Sequence, residues 1–184
     1  PAGWVQSGAT CTNGANPANI SLAPGVTVRC TFTNTQLSSL TVVKQATGGD
    51  GTFAFSSNLP GGANFNLTTT GGVAQQRFTG LVAGTYNISE TVPAGWDLTR
   101  ATCTDGSSPN AVDLAAGEDV TCVFANTQRG SLTVMKNTIG GNGVFTFTSQ
   151  ALGGFAVTTA NGSGQQVFGN LVPGVYDLSE NASA

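Results

Sequence analysis

Charge is scarce in this sequence, and that scarcity excludes several classes of function. Only 8% of its 184 residues are charged, and the six basic residues are scattered along the chain. With a formal net charge of −3, the chain has no basic patch that could neutralise a phosphate backbone or an anionic membrane surface. Nucleic acid is therefore not a predicted partner.

Histidine is absent, and the sequence also lacks a long apolar run. It has no serine or cysteine beside a placed base and no clustered carboxylates, so it offers no site for repeated catalytic turnover. We predict that the protein is not an enzyme and that it holds no cofactor or metal. No run of about 20 apolar residues is available to span a bilayer, so membrane insertion is not predicted.

The abundant residues are glycine, threonine, serine and asparagine, which together with the low charge favour an all-β protein. Short apolar segments alternate with Gly, Pro and Asn clusters at the spacing of a β-sandwich. Seven strands are predicted in the central part of the chain, near residues 39–45, 52–57, 64–69, 73–79, 84–91, 96–104 and 118–127.

Short motifs recur along the chain at an offset of 92 residues. The recurring pairs are "PAGW" at 1–4 and 93–96, "NTQ" at 34–36 and 126–128, and "SLTVVK" at 39–44 with "SLTVMK" at 131–136. This periodicity predicts tandem Ig-like β-sandwich repeats of about 92 residues. Only residues 39–129 form a complete repeat. Residues 1–38 match the C-terminal part of a repeat, and residues 130–184 match the N-terminal part of the next.

Side chains alternate between the two faces of a strand, so the predicted strands define inward-facing series. The three series are Leu40, Val42 and Lys44; Tyr86, Ile88 and Glu90; and Val120, Cys122, Phe124 and Asn126. Each apolar series therefore ends in one polar residue on the same face. Lys44 and Lys136, the two lysines of the chain, occupy the same position of the repeat.

Cysteine is also sparse, with four residues in the chain. Cys11 and Cys30 are 19 positions apart, as are Cys103 and Cys122, and each pair lies on strands that we expect to be antiparallel neighbours. We predict one disulfide within each pair, which implies an oxidising, extracellular compartment. The alternatives are reduced buried thiols or a metal site, although histidine and a close Cys-x-x-Cys pair are both missing.

Several segments carry a resemblance to a known family. They are "LTVVK" at 40–44, "FTGLVAGTYNISETVPAGW" at 78–96, "FANTQ" at 124–128 and "FGNLVPGVYDLSE" at 168–180. Together the segments resemble the Cna B-type domains, also called SpaA-like, of bacterial pilins and surface adhesins. The resemblance covers the whole repeat and implies a prealbumin-like fold.

Many members of that family form a spontaneous isopeptide bond between a lysine and an asparagine, promoted by an acid. The resemblance implies that Lys44 is the amine, Asn126 the acceptor and Glu90 the promoting acid. Burial disfavours the charged forms of both ionisable groups, so a neutral amine could attack the amide while the acid stabilises the oxyanion. The alternative is an ordinary Lys–Glu ion pair beside a hydrogen-bonding asparagine.

The two incomplete parts of the repeat each lack a partner. Lys136 and Glu180 have no matching late asparagine, and Asn34 has no matching early lysine. In one interpretation, the sequence is a section of a longer polypeptide with the same periodicity. In the other, separate chains associate head to tail and Lys136 bonds Asn34 of another chain. Both interpretations describe a fibre in which adjacent repeats, or copies of the chain, are the partners.

The periodicity and the predicted crosslinks favour a structural module of an extracellular fibre, pilus or adhesin stalk. The alternative is a ligand-binding adhesin domain on the cell surface. Successive copies carry near-identical loops, whereas a binding module is expected to carry one enlarged, divergent loop. The sequence therefore favours the structural module.

Overall fold

The computed structural model describes residues 1–181, and over this range the chain is all-β, which confirms the predicted fold class. None of the described residues forms a helix long and apolar enough to cross a membrane. The chain divides into two compact units. The first contains Pro1–Pro93 and Leu98–Asn126, and the second contains Ala94–Asp97 and the chain from Thr127 onward.

The first eleven strands cover all seven segments that the sequence predicts as strands, and one of these segments forms two strands. They are β1 (Trp4–Cys11), β2 (Cys30–Gln36), β3 (Ser38–Thr47), β4 (Thr52–Ser57), β5 (Asn64–Thr68), β6 (Val73–Leu81), β7 (Gly84–Tyr86), β8 (Ile88–Thr91), β9 (Trp96–Cys103), β10 (Val112–Leu114) and β11 (Asp119–Gln128).

Two features of this strand list differ from the sequence prediction. The predicted strand over 84–91 is interrupted at Asn87, whose backbone N–H donates to the side chain of Asn58. As a result, β7 pairs with β10, whereas β8 pairs with β4 in another sheet. The sequence analysis does not predict β10, because three residues are too few to produce a periodic signal.

Two sheets enclose the core of the first unit. One has the strand order β6-β3-β11-β9, and the other has the order β5-β4-β8. Phe55 on β4 packs edge-on against Phe124 on β11, and Phe65 on β5 packs in the same manner against Phe78 on β6. These ring contacts join the two sheets into a sandwich. Large aromatic side chains contribute much of the apolar area that such a small core can bury.

Strand β3 lies in the interior of its sheet, between β6 and β11. It pairs antiparallel with β6, which places Lys44 opposite Ala74. Towards β11, the backbone N–H of Ser39 donates to the carbonyl of Glu118, and the side-chain Nζ of Lys44 donates to the carbonyl of Phe124. These two contacts advance in the same direction along both strands, so β3 and β11 run parallel.

Strands β1 and β2 form a two-stranded antiparallel sheet, which we call the β1–β2 ribbon. Its register runs from Trp4 opposite Gln36 to Cys11 opposite Cys30. The ribbon has the same order of sequence motifs as β9 and β11, which are also hydrogen-bonded neighbours. The ribbon therefore resembles the last two long strands of the complete sandwich.

The second unit contains five further strands and a smaller core. They are β12 (Gly130–Asn137), β13 (Val144–Thr148), β14 (Phe155–Thr158), β15 (Ser163–Leu171) and β16 (Ser179–Glu180). β12 pairs with β15, and β13 pairs with both β14 and β16. Val134, Phe147 and Val157 form the buried centre of this core. Among the described strands, β12 has one hydrogen-bonded neighbour where β3 has two.

The division into residues 1–38, 39–129 and 130–184 stays a prediction. Its last three residues, 182–184, lie outside the described part of the chain.

Candidate crosslinking site

Lys44 is a fully buried lysine on β3. Leu40 and Val42 precede it on the same inward face and are also fully buried. The Nζ atom of Lys44 lies 3.1 Å from Oε2 of Glu90, and it donates to the carbonyl oxygen of Phe124 at 3.4 Å. The polar end of this side chain is therefore held in the interior by specific acceptors.

Glu90 lies on β8, in the sheet opposite Lys44. It follows the buried residues Tyr86 and Ile88, and its own side chain is fully buried. Its Oε1 atom lies 3.1 Å from Nζ of Lys44 and accepts a hydrogen bond of 2.6 Å from Nδ2 of Asn126. One carboxylate therefore contacts both the lysine and the asparagine.

Asn126 ends the inward-facing series of β11 and is fully buried. Its Nδ2 donates to Glu90, but its Oδ1 has no hydrogen-bond partner among the described residues. A buried polar atom without a partner costs about 1–3 kcal/mol. The amide oxygen of Asn126 is therefore a buried atom of this site that lacks a hydrogen bond among the described residues.

Burial lowers the pKa of Lys44. Loss of water lowers the pKa of its ammonium below the ordinary lysine value, and the hydrogen bond and charge of Glu90 oppose this effect without cancelling it. The Nζ atom also lies 4.2 Å from the centroid of the Phe53 ring. The site therefore places an amine whose charged form is disfavoured by burial beside a buried amide, and these two groups are the reactants of an amide exchange.

Two contacts of the Lys44 Nζ atom are not predicted from the sequence. They are the Phe53 ring beside Nζ and the backbone carbonyl of Phe124. The alternation of Phe53 and Phe55 in "TFAF" is a signal that could have found the first. The second has no signal in the sequence, because backbone carbonyls are common to all residues.

The second unit holds a related pair, formed by Lys136 and Glu180. Lys136 Nζ lies 2.8 Å from Oε1 and 3.0 Å from Oε2 of Glu180, and 4.3 Å from the centroid of the Phe145 ring. Both side chains are partly exposed, at 21% and 38%. Within residues 130–181, no asparagine amide is hydrogen-bonded to Glu180.

Asn34 lies on β2 of the β1–β2 ribbon, opposite Gln6. Its side chain is exposed. The site residues predicted from the sequence therefore form one assembled group at Lys44, Glu90 and Asn126. Of the other predicted site residues, Lys136 and Glu180 form an ion pair, and Asn34 lies on β2.

Two disulfides are present, and they join the predicted pairs. One links Cys11 to Cys30 across the β1–β2 ribbon, and the other links Cys103 on β9 to Cys122 on β11. The alternatives of reduced thiols or a metal site at these residues are thereby excluded. Each disulfide connects strands that are hydrogen-bonded neighbours.

Comparison with known families agrees with this architecture. Residues 40–128 match the profile of a SpaA-like family described as "Prealbumin-like fold domain". The matched range begins on β3 and ends on β11, so it contains Lys44, Glu90 and Asn126. No curated protein matches the sequence significantly.

Two solved structures match the chain over part of their length. The Bacillus anthracis TIE protein is 19% identical, with a TM-score of 0.36, and the match covers 84% of this chain and 31% of that one. The Streptococcal ancillary pilin is 20% identical, with a TM-score of 0.38, and the match covers 80% of this chain and 54% of that one. The chain therefore spans about a third and about half of their respective lengths.

Proposed function

We propose that the protein is a structural module of an extracellular fibre, pilus or adhesin stalk, and that an isopeptide bond between Lys44 and Asn126 locks its complete repeat. The observation that carries this proposal is the burial of both side chains against the single carboxylate of Glu90. The prealbumin-like fold and the two disulfides fit the same role. Neither of these two findings favours the alternative of a ligand-binding adhesin domain.

The bond forms by attack of the neutral amine of Lys44 on Cγ of Asn126. A half turn of the Asn126 amide brings its oxygen to Glu90. The carboxylate of Glu90 takes up the proton that Lys44 gives up and donates it in a hydrogen bond to that oxygen as negative charge develops there. Glu90 passes a proton from the amine to the leaving nitrogen. The Nζ–Cγ bond forms, the Cγ–Nδ2 bond breaks and one ammonia leaves. The reaction occurs once per repeat, so the site performs no turnover.

The position of this bond suits a module under tension. It joins β3 to β11, which are neighbouring strands at opposite ends of the complete repeat. Force that enters through β3 would pass directly to β11 and leave the enclosed strands unloaded. On the chain-entropy model, the crosslink contributes about 4.5 kcal/mol, compared with about 3.3 kcal/mol for the Cys103–Cys122 disulfide.

The proposed setting is the cell exterior, with adjacent repeats or copies of the chain arranged head to tail. Disulfides persist in oxidising compartments, which supports an extracellular location. The sequence motifs that recur at an offset of 92 residues support an array of such modules.

The test of this proposal is the intact mass of the reduced protein, followed by peptide mapping. The expected result is the loss of one ammonia, located in a branched peptide that contains Lys44 and Asn126. The Asn126→Ala variant is the matched control, because it retains Lys44 and Glu90 and lacks the acceptor amide. A reduced mass equal to that of the unmodified sequence overturns the crosslink and leaves a disulfide-stabilised sandwich.

A further inference from the structure

The Cys103–Cys122 disulfide lies in the core of the complete repeat, where both cysteines are buried. On β11, Cys122, Phe124 and Asn126 share one inward face, because they are two positions apart. The backbone carbonyl of Phe124 accepts the hydrogen bond from Nζ of Lys44. The disulfide therefore restrains the strand that carries both the acceptor amide and a carbonyl that holds the amine.

The same disulfide lies at the start of residues 104–111, which we call the β9–β10 loop. At the beginning of this loop, the backbone N–H of Thr104 donates to the carbonyl of Thr121 on β11. Further along, Pro109 is buried, and its carbonyl accepts a hydrogen bond of 2.7 Å from the backbone N–H of Ile88 on β8. The loop is therefore anchored to β11 at its beginning and to β8 near its end.

Strand β8, which carries Glu90, is short and lies at the edge of its sheet. It has 4 residues and pairs with β4 in the sheet β5-β4-β8. The backbone N–H of Ile88 bonds to Pro109 in the β9–β10 loop rather than to β4. Ile88 and Glu90 are two positions apart and lie on the same inward face. The position of the Glu90 carboxylate therefore depends on the loop as well as on β4.

A cavity of about 190 Å³ lies between β8, β9 and the β9–β10 loop. Its lining includes Glu90 of β8, Leu98 of β9, Pro109 of the loop and Phe124 of β11. Because β8 and β9 are each the last strand of a sheet, this is an open side of the sandwich. The side chain of Glu90 is nevertheless fully buried. The loop therefore covers the side from which water would reach the carboxylate.

We propose that the Cys103–Cys122 disulfide controls the crosslinking step by positioning both partners of Lys44. It restrains β11, which carries Asn126, and it restrains the loop that holds β8, which carries Glu90. When the two cysteines are reduced, the loop gains conformational freedom and water enters the cavity beside Glu90. Hydration favours the charged form of Lys44, and the loss of alignment slows its attack on the amide. Crosslinking is therefore delayed until the disulfide has formed.

Two covalent steps occur in this order, and the second rests on the proposed function. In the first, the thiols of Cys103 and Cys122 give two electrons and two protons to a small-molecule disulfide, which becomes two thiols. In the second, the Nζ–Cγ bond between Lys44 and Asn126 forms, the Cγ–Nδ2 bond breaks and one ammonia leaves. A reducing compartment prevents the first step. The crosslink therefore forms in oxidising surroundings, such as the proposed cell exterior.

The experiment follows ammonia loss in the full-length protein, synthesised in a reducing cell-free extract. One half of each sample receives oxidised glutathione, and the intact mass after reduction is measured over time. In the wild type, the oxidant is expected to accelerate crosslinking by about tenfold or more, because small misalignments of reacting groups cause large losses of rate. Equal rates in the two halves would overturn the inference, whereas the crosslink itself would still support the proposed function.

The Cys11–Cys30 disulfide supplies a matched control, because the β1–β2 ribbon takes no part in the described polar contacts of the crosslinking site. The double variant Cys11→Ala, Cys30→Ala should keep the acceleration by oxidised glutathione. The double variant Cys103→Ala, Cys122→Ala should crosslink at the slow rate in both halves of the sample. If the oxidant accelerates this second variant as much as the wild type, the Cys103–Cys122 disulfide is not responsible and the inference is overturned.

The pH dependence of the rate separates positioning from a general loss of stability. Around Nζ of Lys44, β8 contributes the charge of Glu90, whereas β4 and β11 contribute the ring of Phe53 and the carbonyl of Phe124. If reduction admits water, the pH at which the rate is half of its maximum should be higher in the reduced protein. A fold that is only less stable lowers the rate by the same factor at every pH. Profiles of identical shape would therefore overturn the positioning role.

A substitution in the β9–β10 loop tests the path to Glu90 while the disulfide stays intact. Pro109→Gly should slow crosslinking of the oxidised protein by about threefold or more, because glycine widens the range of conformations that the loop can adopt. Pro17→Gly is the matched control, since Pro17 is the counterpart of Pro109 in the segment between β1 and β2. Equal rates for the two variants would contradict the role of the loop.

Hydrogen exchange provides a measurement that does not require the crosslink. In Asn126→Ala, which lacks the acceptor amide, the amide of Ile88 should exchange faster in the reduced protein than in the oxidised protein. Equal exchange would overturn the restraint of β8 by the disulfide. If the wild type loses no ammonia in either redox condition, the proposed crosslink and its control by the disulfide are both overturned.

Discussion

Asn126 donates an amide hydrogen to Oε1 of Glu90 over 2.6 Å, while its own amide oxygen meets no donor among the described residues. The same carboxylate lies 3.1 Å from Nζ of Lys44. An ordinary structural ion pair does not require a buried amide with an unpaired oxygen. This arrangement supports the proposed crosslink, in which Glu90 contacts both Lys44 and Asn126.

Glu90→Gln should leave the fold intact and slow crosslinking by about 100-fold or more, because a glutamine amide does not relay the protons that the reaction moves. The measurement is the ammonia loss of freshly purified, reduced protein over time. Glu118→Gln is the control, since Glu118 is partly exposed and its side chain accepts a turn hydrogen bond from the N–H of Ala115. Complete crosslinking of Glu90→Gln at the wild-type rate would contradict the role of Glu90.

Asn126→Ala should lower the free energy of unfolding of the complete repeat by about 4.5 kcal/mol, because the crosslink no longer restricts the unfolded chain. Reduction of Cys103–Cys122 should cost about 3.3 kcal/mol in the same model. Urea denaturation under reducing and non-reducing conditions measures both effects. The prediction fails if Asn126→Ala is no less stable than the wild type under matched redox conditions.

Stability of the uncrosslinked repeat should depend on pH through Lys44. In Asn126→Ala, burial keeps the pKa of Lys44 below its ordinary value in the folded state. Between that lowered pKa and the ordinary pKa of the unfolded chain, the unfolded chain binds more protons, so the free energy of unfolding rises with pH. Lys44→Met combined with Asn126→Ala should lose this slope. Equal slopes for the two proteins in urea denaturation across this pH range would disprove the assignment.

Mechanical extension should distinguish the crosslinked repeat from its variant. Pulled from its two ends, the wild type should not release the residues between Lys44 and Asn126. Asn126→Ala should release about 280 Å of additional length under reducing conditions, as expected for the enclosed chain at full extension. Single-molecule force spectroscopy measures this difference. Release of the same length by the wild type would show that tension does not bypass the enclosed strands.

Local alternation was sufficient to predict much of the fold and of the site. Lys44, Glu90 and Asn126 each lie on the inward face that a period of two assigns to them, because the alternation is a property of the single strand. The division of residues 84–91 into two strands could not be predicted in this way. It depends on a hydrogen bond from Asn87 to Asn58, which lies on a distant part of the chain.

The sequence by itself determined which residue types face inward, which cysteines can pair and which motifs recur. Only the tertiary structure decided that β3 and β11 are neighbours, so that Lys44 and Asn126 meet at one carboxylate. It also decided that β12 is paired on one side in the described chain and that Phe32 lies in solvent. The physical reason is that inward orientation follows from the geometry of one strand, whereas strand neighbours and burial depend on long-range pairing across the whole sandwich.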